Sequence, residues 1–348
     1  MPYISDDKST KLAVIADDLT GALDSTAPFA GRGLVVEVAL TAEAAPEVAA
    51  SGADIIVINT ASRELSAEAA HDAVARAASA IPAGLRLFKK VDSRLKGHVV
   101  PEISALTFTH ALAAPAIPAF GRIVRCGMMT GFGVDRPISV VAALGPHAAR
   151  ADIPDTNTDV EMRAALVASH AELLIGARGL AEALALQMTG RPKAELVGLS
   201  GPDGVMVIGS RDPITMAQVA ALRATRNPHY LPAPNGVFSP DPRAGLVLVQ
   251  ALPAEHEIAG AEVAANLARG LHPAMTERCG TLFLTGGATA EAVLSAMGIT
   301  RMRLLGECLP GIAVATAKGL TIVTKSGGFG DDATLLQIAA MIEQGGKG

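Results

Sequence analysis

The segment LAVIADDLTGALDS, residues 12–25, sets the pattern that the chain repeats. Five aliphatic residues with no polar interruption have the length of a strand covered on both faces. Two carboxylates, Asp17 and Asp18, stand at the strand end, and Gly21 lies where a helix should open. Runs of the same kind follow in LVVEVAL (34–40), DIIVINT (54–60), LRLFKKV (85–91) and ISVVAAL (138–144), separated by helical patterns such as SAEAAHDAVARAASAI (66–81). A second series comprises GVMVIGS (204–210), LVLVQAL (246–252), TLFLTGG (281–287) and LTIVTKSGG (320–328), with helices such as EIAGAEVAANLARGL (257–271) and TAEAVLSAMG (289–298). Such alternation predicts βαβ units.

The expected fold is therefore α/β with two domains, each a mostly parallel sheet flanked by helices, and an active site in the cleft between them. The helical stretch ELLIGARGLAEALALQM and then the Gly- and Pro-bearing TGRPKAELVGLSGPDG separate the series, which gives domains 1–198 and 199–348. GRIVRCGMMTGFGVDRP (121–137), with four glycines and little periodicity, reads either as a hairpin or as an ordered substrate loop.

Half of the 348 residues are hydrophobic, enough for substantial cores, and they are aliphatic: there is no Trp, with two Tyr and eight Phe. A formal charge of -5 and no basic stripe argue against nucleic acid as a partner, and the scarcity of aromatics weakens base stacking. Cys126, Cys279 and Cys308 show neither a disulfide framework nor zinc spacing, as in a reducing compartment. The N-terminal MPYISDDKST has no export signal and no stretch is long and apolar enough for a bilayer, so a cytoplasmic, membrane-free protein is expected. Whether it forms a homo-oligomer is left open.

In open α/β sheets ligands bind beyond the carboxyl ends of the strands, and charged residues crowd those positions here. Besides Asp17 and Asp18 they are Ser62 and Arg63 in ASREL, then Asp92, Ser93, Arg94, Lys96 and Gly97 in DSRLKGH. A single Asp or Ser after a strand ordinarily caps a helix, but so many charges at one edge exceed what capping needs. An arginine fork suits a carboxylate. In the second half, the Gly286-Gly287 turn and TKSGGFGDD (324–332) are two Gly-rich strand-to-helix turns, a setting for phosphate. The latter is no Walker loop, because Lys325 and Ser326 precede Gly327, Gly328 and Gly330. Asp331 and Asp332 read as a helix cap and charge match, and His98 as a residue at the start of a helix.

IADDLTGALD, TASREL, KKVDSRLKGHVVPEI, PAIPAFGR, LTGGATAEAV and GECLPGIAVATAKGLTIVTKSGGFGDD, in this order, resemble the four-carbon acid sugar kinases over nearly the whole chain. The resemblance implies an N-terminal domain for a short sugar acid, a C-terminal domain for ATP with Mg²⁺, and phosphate transfer to a terminal hydroxyl. It assigns the acid to Asp17, Asp18, Arg63, Lys90, Asp92, Ser93 and Gly97, with Arg94 and Lys96 beside them. ATP falls to Ser210, Gly286, Gly287, Ala288, Thr289, Gly327 and Gly330, with Lys325, Ser326 and Gly328 completing the loop. Asp17 or Asp18 would accept the hydroxyl proton, Lys325 would neutralise phosphate charge, and no metal ligand is assigned. The family usually has Asp-Ser-Thr-x-Arg-Gly at DSRLKG, so the substrate carboxylate is expected to be held differently. Two alternatives follow: a kinase for a branched five-carbon oxo-acid such as 3-oxo-isoapionate, and a non-catalytic nucleotide or sugar-acid sensor.

Overall fold

The computed structural model describes residues 11–345; the segment MPYISDDKST, read above for export signals, lies outside them. Contacts divide the chain into two units, Met1–Glu195 and Leu196–Gly348. Both are layered α/β units. Among the described residues no helix is long and apolar enough to cross a membrane.

The first unit contains β1 (Leu12–Ala16), α1 (Leu19–Ala30), β2 (Val36–Ala39), α2 (Ala45–Ala49), β3 (Ile55–Asn59), α3 (Ala67–Ser79), β4 (Arg86–Lys90) and α4 (Val99–Ser104). It continues through β5 (Ala111–Ala114), β6 (Arg122–Arg125), β7 (Met128–Gly131), β8 (Ile138–Ser139), α5 (Val140–Leu144), β9 (Ala151–Asp152), α6 (Asp159–Ala168), β10 (Leu173–Gly176) and α7 (Arg178–Thr189). Its main strands run in the order β2-β3-β1-β4-β10-β5-β9, all parallel. Every residue of β1 and β3 is buried, as helices on both faces require.

Two expectations fail here for identifiable reasons. ISVVAAL is mostly the helix α5: Ser139 caps it by accepting from the Ala142 amide, and Gly145 at φ 55° ends it. A short apolar run carries no period that separates helix from strand. ELLIG is not helical either. Its four residues Leu173–Gly176 are fully buried as β10 between β4 and β5, and the helix begins only at Arg178. The glycine-rich segment resolves as a hairpin, with Arg125 opposite Met128 and a two-residue turn of Cys126 and Gly127 at φ 50° and 69°.

The second unit contains β11 (Gly204–Ile208), α8 (Pro213–Arg226), β12 (His229–Pro234), β13 (Leu246–Leu252), α9 (Gly260–Leu271), β14 (Thr281–Thr285) and α10 (Gly287–Ala296). β15 (Arg301–Leu309), β16 (Ile312–Ala317), β17 (Leu320–Lys325) and α11 (Thr334–Gln344) complete it. The order is β12-β13-β11-β14-β17-β16-β15, parallel as far as β17 and antiparallel beyond. Met206, Ile208, Leu248, Phe283 and Val323 of the sheet pack against Leu222 of α8 and Leu335, Ile338 and Ile342 of α11.

The two units repeat one topological device. In the first, the chain leaves β1 towards β2 and leaves β4 in the other direction, so neighbouring strands β1 and β4 flank a switch point. In the second, β11 and β14 do the same. Ala16 is level with Lys90, and Ile208 with Thr285, so the residues that follow them open onto the crevice where such sheets bind ligands.

Candidate active site

At the β1/β4 switch point Asp17, Asp18, Arg63 and Lys90 form a closed quartet. Asp18 does cap α1, its Oδ2 accepting from the Gly21 amide at 3.2 Å and from Thr20 Oγ1 at 2.7 Å. Its other oxygen goes further, taking Arg63 Nη2 at 2.8 Å and Lys90 Nζ at 3.1 Å. Arg63 Nε meets Asp17 Oδ2 at 2.7 Å, so one guanidinium spans both carboxylates. Asp17 Oδ1 is buried, 3.7 Å from Lys90 Nζ, and accepts no hydrogen bond among the described residues.

Burial alone would raise the Asp17 carboxyl, but the charges of Lys90, Lys89 and Arg63 outweigh it and hold the group below the usual carboxylate range. Asp18 is likewise lowered against its burial by Lys90, Arg63 and the Thr20 hydroxyl. Burial works against Lys90 and Arg63 too, and the two carboxylates raise both. All four groups are thus charged near neutral pH. Gly21 is required for this packing, since a Cβ there would sit 1.9 Å from Lys90 Nζ.

DSRLKG folds over the quartet. Asp92 Oδ1 accepts from the Arg94 amide at 2.8 Å, and Gly97 turns at φ 89°, where a Cβ would stand 3.4 Å from Asp17 Oδ2. Ser93 Oγ accepts from Arg122 Nη1, a residue not foreseen as part of the site. Arg122 is buried, and its Nε donates to the Phe132 carbonyl at 2.9 Å, which ties the β6–β7 hairpin to this loop. Its position after PAIPAFG was visible in the sequence, but nothing local showed that the hairpin folds back onto Ser93. Lys96 is exposed, and neither it nor the Arg94 guanidinium makes a hydrogen bond or ion pair among the described residues.

At the β11/β14 switch point Ser210, the Gly286 turn and the loop after β17 converge. The Ser210 amide donates to Thr285 Oγ1 at 3.3 Å, and the Gly286 amide to the Lys325 carbonyl at 3.2 Å. Gly286, at φ 89°, precedes Gly287, Ala288 and Thr289 in the first turn of α10. A Cβ on Gly209 would fall 1.9 Å from Thr289 Oγ1, and one on Gly327 would fall 2.4 Å from Ser210 Oγ. Gly328 faces Asp212 Oδ2, and Gly330 turns at φ 82° over Thr334. Asp331 Oδ1 accepts from the Ala333 amide and from Thr334 Oγ1 just ahead of α11, whose N-cap residue, Ala333, receives no side-chain cap, so the capping expected of Asp331 is not what it does.

Lys325 corrects an expectation. It was to face phosphate, yet it is fully buried under the loop, donating to Thr215 Oγ1 at 2.9 Å, Gly327 O at 3.0 Å and Ser326 O at 3.2 Å. It ends a strand whose every residue is buried, level with Ile312 on one side and Thr285 on the other. All three donors of its ammonium are thus directed at Thr215 and the loop backbone.

A family described as a sugar-binding N-terminal domain matches residues 12–140, and one described as a nucleotide-binding C-terminal domain matches residues 239–335. The chain belongs to the four-carbon acid sugar kinase family. It is similar to a D-threonate kinase of Cupriavidus necator, 29% identical over 92% of this chain and 95% of that one. A D-threonate kinase of Salmonella typhimurium is 26% identical over 96% and 99%. A D-erythronate kinase of Heliobacterium modesticaldum is 34% identical, over 34% of this chain and 29% of its own. The fold is shared with a crystal structure from Salmonella typhimurium (TM-score 0.72, 20% identity, 94% and 98% of the two chains) and one from Haemophilus influenzae (0.67, 19%, 94% and 99%).

In this kinase-family chain Ser210 and α8 lie outside both matched stretches, although they complete the loop cluster. Among the described residues no group of three His, Cys, Asp or Glu side chains could cage a metal. Asp212 Oδ2, 3.5 Å from where a Gly328 Cβ would stand, instead offers one carboxylate beside the loop, the arrangement suited to Mg²⁺ carried by phosphates. Burial pushes the Cys279 thiol up to about 11 and the Cys308 thiol up to about 12, so neither is a nucleophile near neutral pH.

Proposed function

We propose that this chain is an ATP-dependent kinase for a terminal hydroxyl of a short sugar acid of the tetronate or 3-oxo-tetronate type. One observation carries the reading: the first unit's switch point holds a charged quartet suited to an oxygen-rich ligand, and the second's holds a glycine cradle suited to phosphates. The D-threonate and D-erythronate kinase relatives support the substrate class.

In the proposed reaction the nucleotide is held by Ser210, the Gly286–Thr289 turn and the Ser326–Gly330 loop, whose amides take phosphate oxygens. Mg²⁺, with Asp212 as its protein carboxylate, supplies charge neutralisation on the phosphates when bound. Arg63, Lys90, Ser93 and Gly97 line the acid. Asp17 takes the proton of the attacking hydroxyl, because it retains acceptor capacity at Oδ1 while Asp18 is occupied by four donors. A carboxylate held at low pKa is a weak base, which suffices for a loose phosphoryl transition state that asks chiefly for positioning.

The test is ADP release from ATP and Mg²⁺ with D-threonate, D-erythronate, their 3-oxo forms and branched five-carbon oxo-acids. Release with one tetronate supports the reading, whereas release only with a branched acid replaces the substrate class. Nucleotide binding without release on any acid would make the chain a sensor.

A further inference from the structure

Along the six residues from Ser326 to Asp331 the loop has four carbonyls gripped from one side. Lys325 Nζ holds Ser326 O and Gly327 O, and Thr215 Oγ1, which accepts from the same ammonium, donates to Gly327 O at 2.7 Å. Gln218 Nε2 reaches Phe329 O at 3.0 Å and Asp331 O at 2.8 Å. All three gripping residues are shut off from solvent. By contrast, the amides of Gly327, Gly328 and Gly330 meet no acceptor among the described residues. The Phe329 and Asp331 amides are committed, to Ser326 O and Thr334 Oγ1, but a loop with its carbonyls held and three glycine N–H groups unused has the makings of an anion nest.

We infer that Lys325, with Thr215 and Gln218, is a positioning residue for the nucleotide phosphates: it pins the loop carbonyls to the protein and so presents the amides of Gly327, Gly328 and Gly330 as donors. A lysine is suited to this because an ammonium has three donors and no acceptor, and it meets three oxygens here. A neutral side chain of equal length would remove one donor from each of two carbonyls, leaving Gly327 O to Thr215 alone and Ser326 O to the Phe329 amide alone, so the loop would be less firmly anchored. The charge also adds to the field above the loop without occupying the space a phosphate needs.

The inference rests on the nucleotide reading proposed above. It is tested by equilibrium binding of ADP and of adenosine to the full chain and to its Lys325→Met and Thr215→Val variants. Lys325→Met is expected to weaken ADP at least about tenfold and to leave adenosine unchanged, because only the phosphate end loses donors. In turnover it raises the KM for ATP and not that for the acid. Thr215→Val gives a smaller loss of the same kind and decides the matter should Lys325→Met fail to fold. Unchanged ADP affinity in the variants, or parallel loss of ADP and adenosine, overturns the inference while the nucleotide reading stands. If the unaltered chain binds no nucleotide, both fall.

Discussion

Lys89 Nζ lies 2.9 Å from Glu102 Oε2, with both side chains at most 2% exposed. The pair ties α4 to the end of β4, one residue before Lys90. Glu102 also accepts from Ser62 Oγ, one residue before Arg63, and Ser62 meets Thr60 Oγ1 at 2.8 Å. Lys89→Met leaves a buried carboxylate uncompensated and is expected to cost ~3–5 kcal/mol in urea denaturation, and the double variant with Glu102→Leu to recover most of it. A double variant as unstable as the single would show that the pair itself, not an orphaned charge, sets stability.

Arg63→Lys separates charge from geometry. A lysine keeps the positive charge but cannot span both carboxylates, so kcat/KM for the acid is expected to fall about a hundredfold. The KM for ATP should stay within a factor of about two of the original. A comparable change in both substrates would mean that Arg63 holds the fold and not the ligand.

The two aspartates should part company when each becomes Asn. Asp17→Asn removes the proposed base and is expected to lower kcat by about a hundredfold or more with the acid KM little changed. Asp18→Asn keeps an N-cap but leaves Arg63 and Lys90 short of charge, so it should act on acid KM and on stability by about 1–2 kcal/mol. Steady-state kinetics on both variants checks the split, and a reversed pattern would move the base to Asp18.

Gly21→Ala drives a methyl group onto Lys90 Nζ and should abolish activity. Gly260→Ala, with nothing within 4 Å of the added carbon, should leave activity intact. Assaying both variants tests whether the quartet tolerates displacement.

Burial depresses the Lys325 ammonium from its ordinary 10.5 to about 8, opposed only in part by Asp212 at the start of α8. Above pH 8 the ammonium is lost and ADP affinity is expected to decline. The same group acts on stability in the opposite sense: the cost of burying its charge is fully present below about pH 8 and is relieved towards 10.5, where the unfolded chain also gives up the proton. For Asp17 and Asp18 the folded values lie below the ordinary 3.8, so their contribution is complete above that pH and disappears as pH falls through the depressed values. ADP titrations through and above pH 8, with thermal melts carried from 10.5 to well below 3.8, separate these effects.

What the sequence made legible follows from locality. Asp17, Asp18 and the loops after β4 and β17 could be placed because each stands directly behind a buried apolar run. LLIG and VVAAL were misassigned because four or five apolar residues carry no period, and only their neighbours decide between strand and helix. Arg122 and the Lys89–Glu102 pair escaped for a different reason, since their partners are 29 and 13 positions distant in the chain. A lysine inside the apolar run LFKKV was the one available clue that a buried counter-charge had to exist. Lys325 was placed correctly beside the loop, but a sequence does not reveal which side of a loop a side chain supports.

The quartet carries one further consequence. Two anions and two cations balance there, so the group presents local dipoles and one free acceptor, Asp17 Oδ1, but no net charge. It can sort hydroxyl geometry, yet it has no net charge with which to prefer an acid over the corresponding neutral sugar. For the acid substrate proposed above, the cations outside the quartet that could supply that preference are Arg94, exposed Lys96, and Arg122, whose guanidinium is lowered by burial and by Arg94 beside it. Changes of substrate in this chain are therefore to be sought among those three residues, where charge can be altered without disturbing the balanced centre.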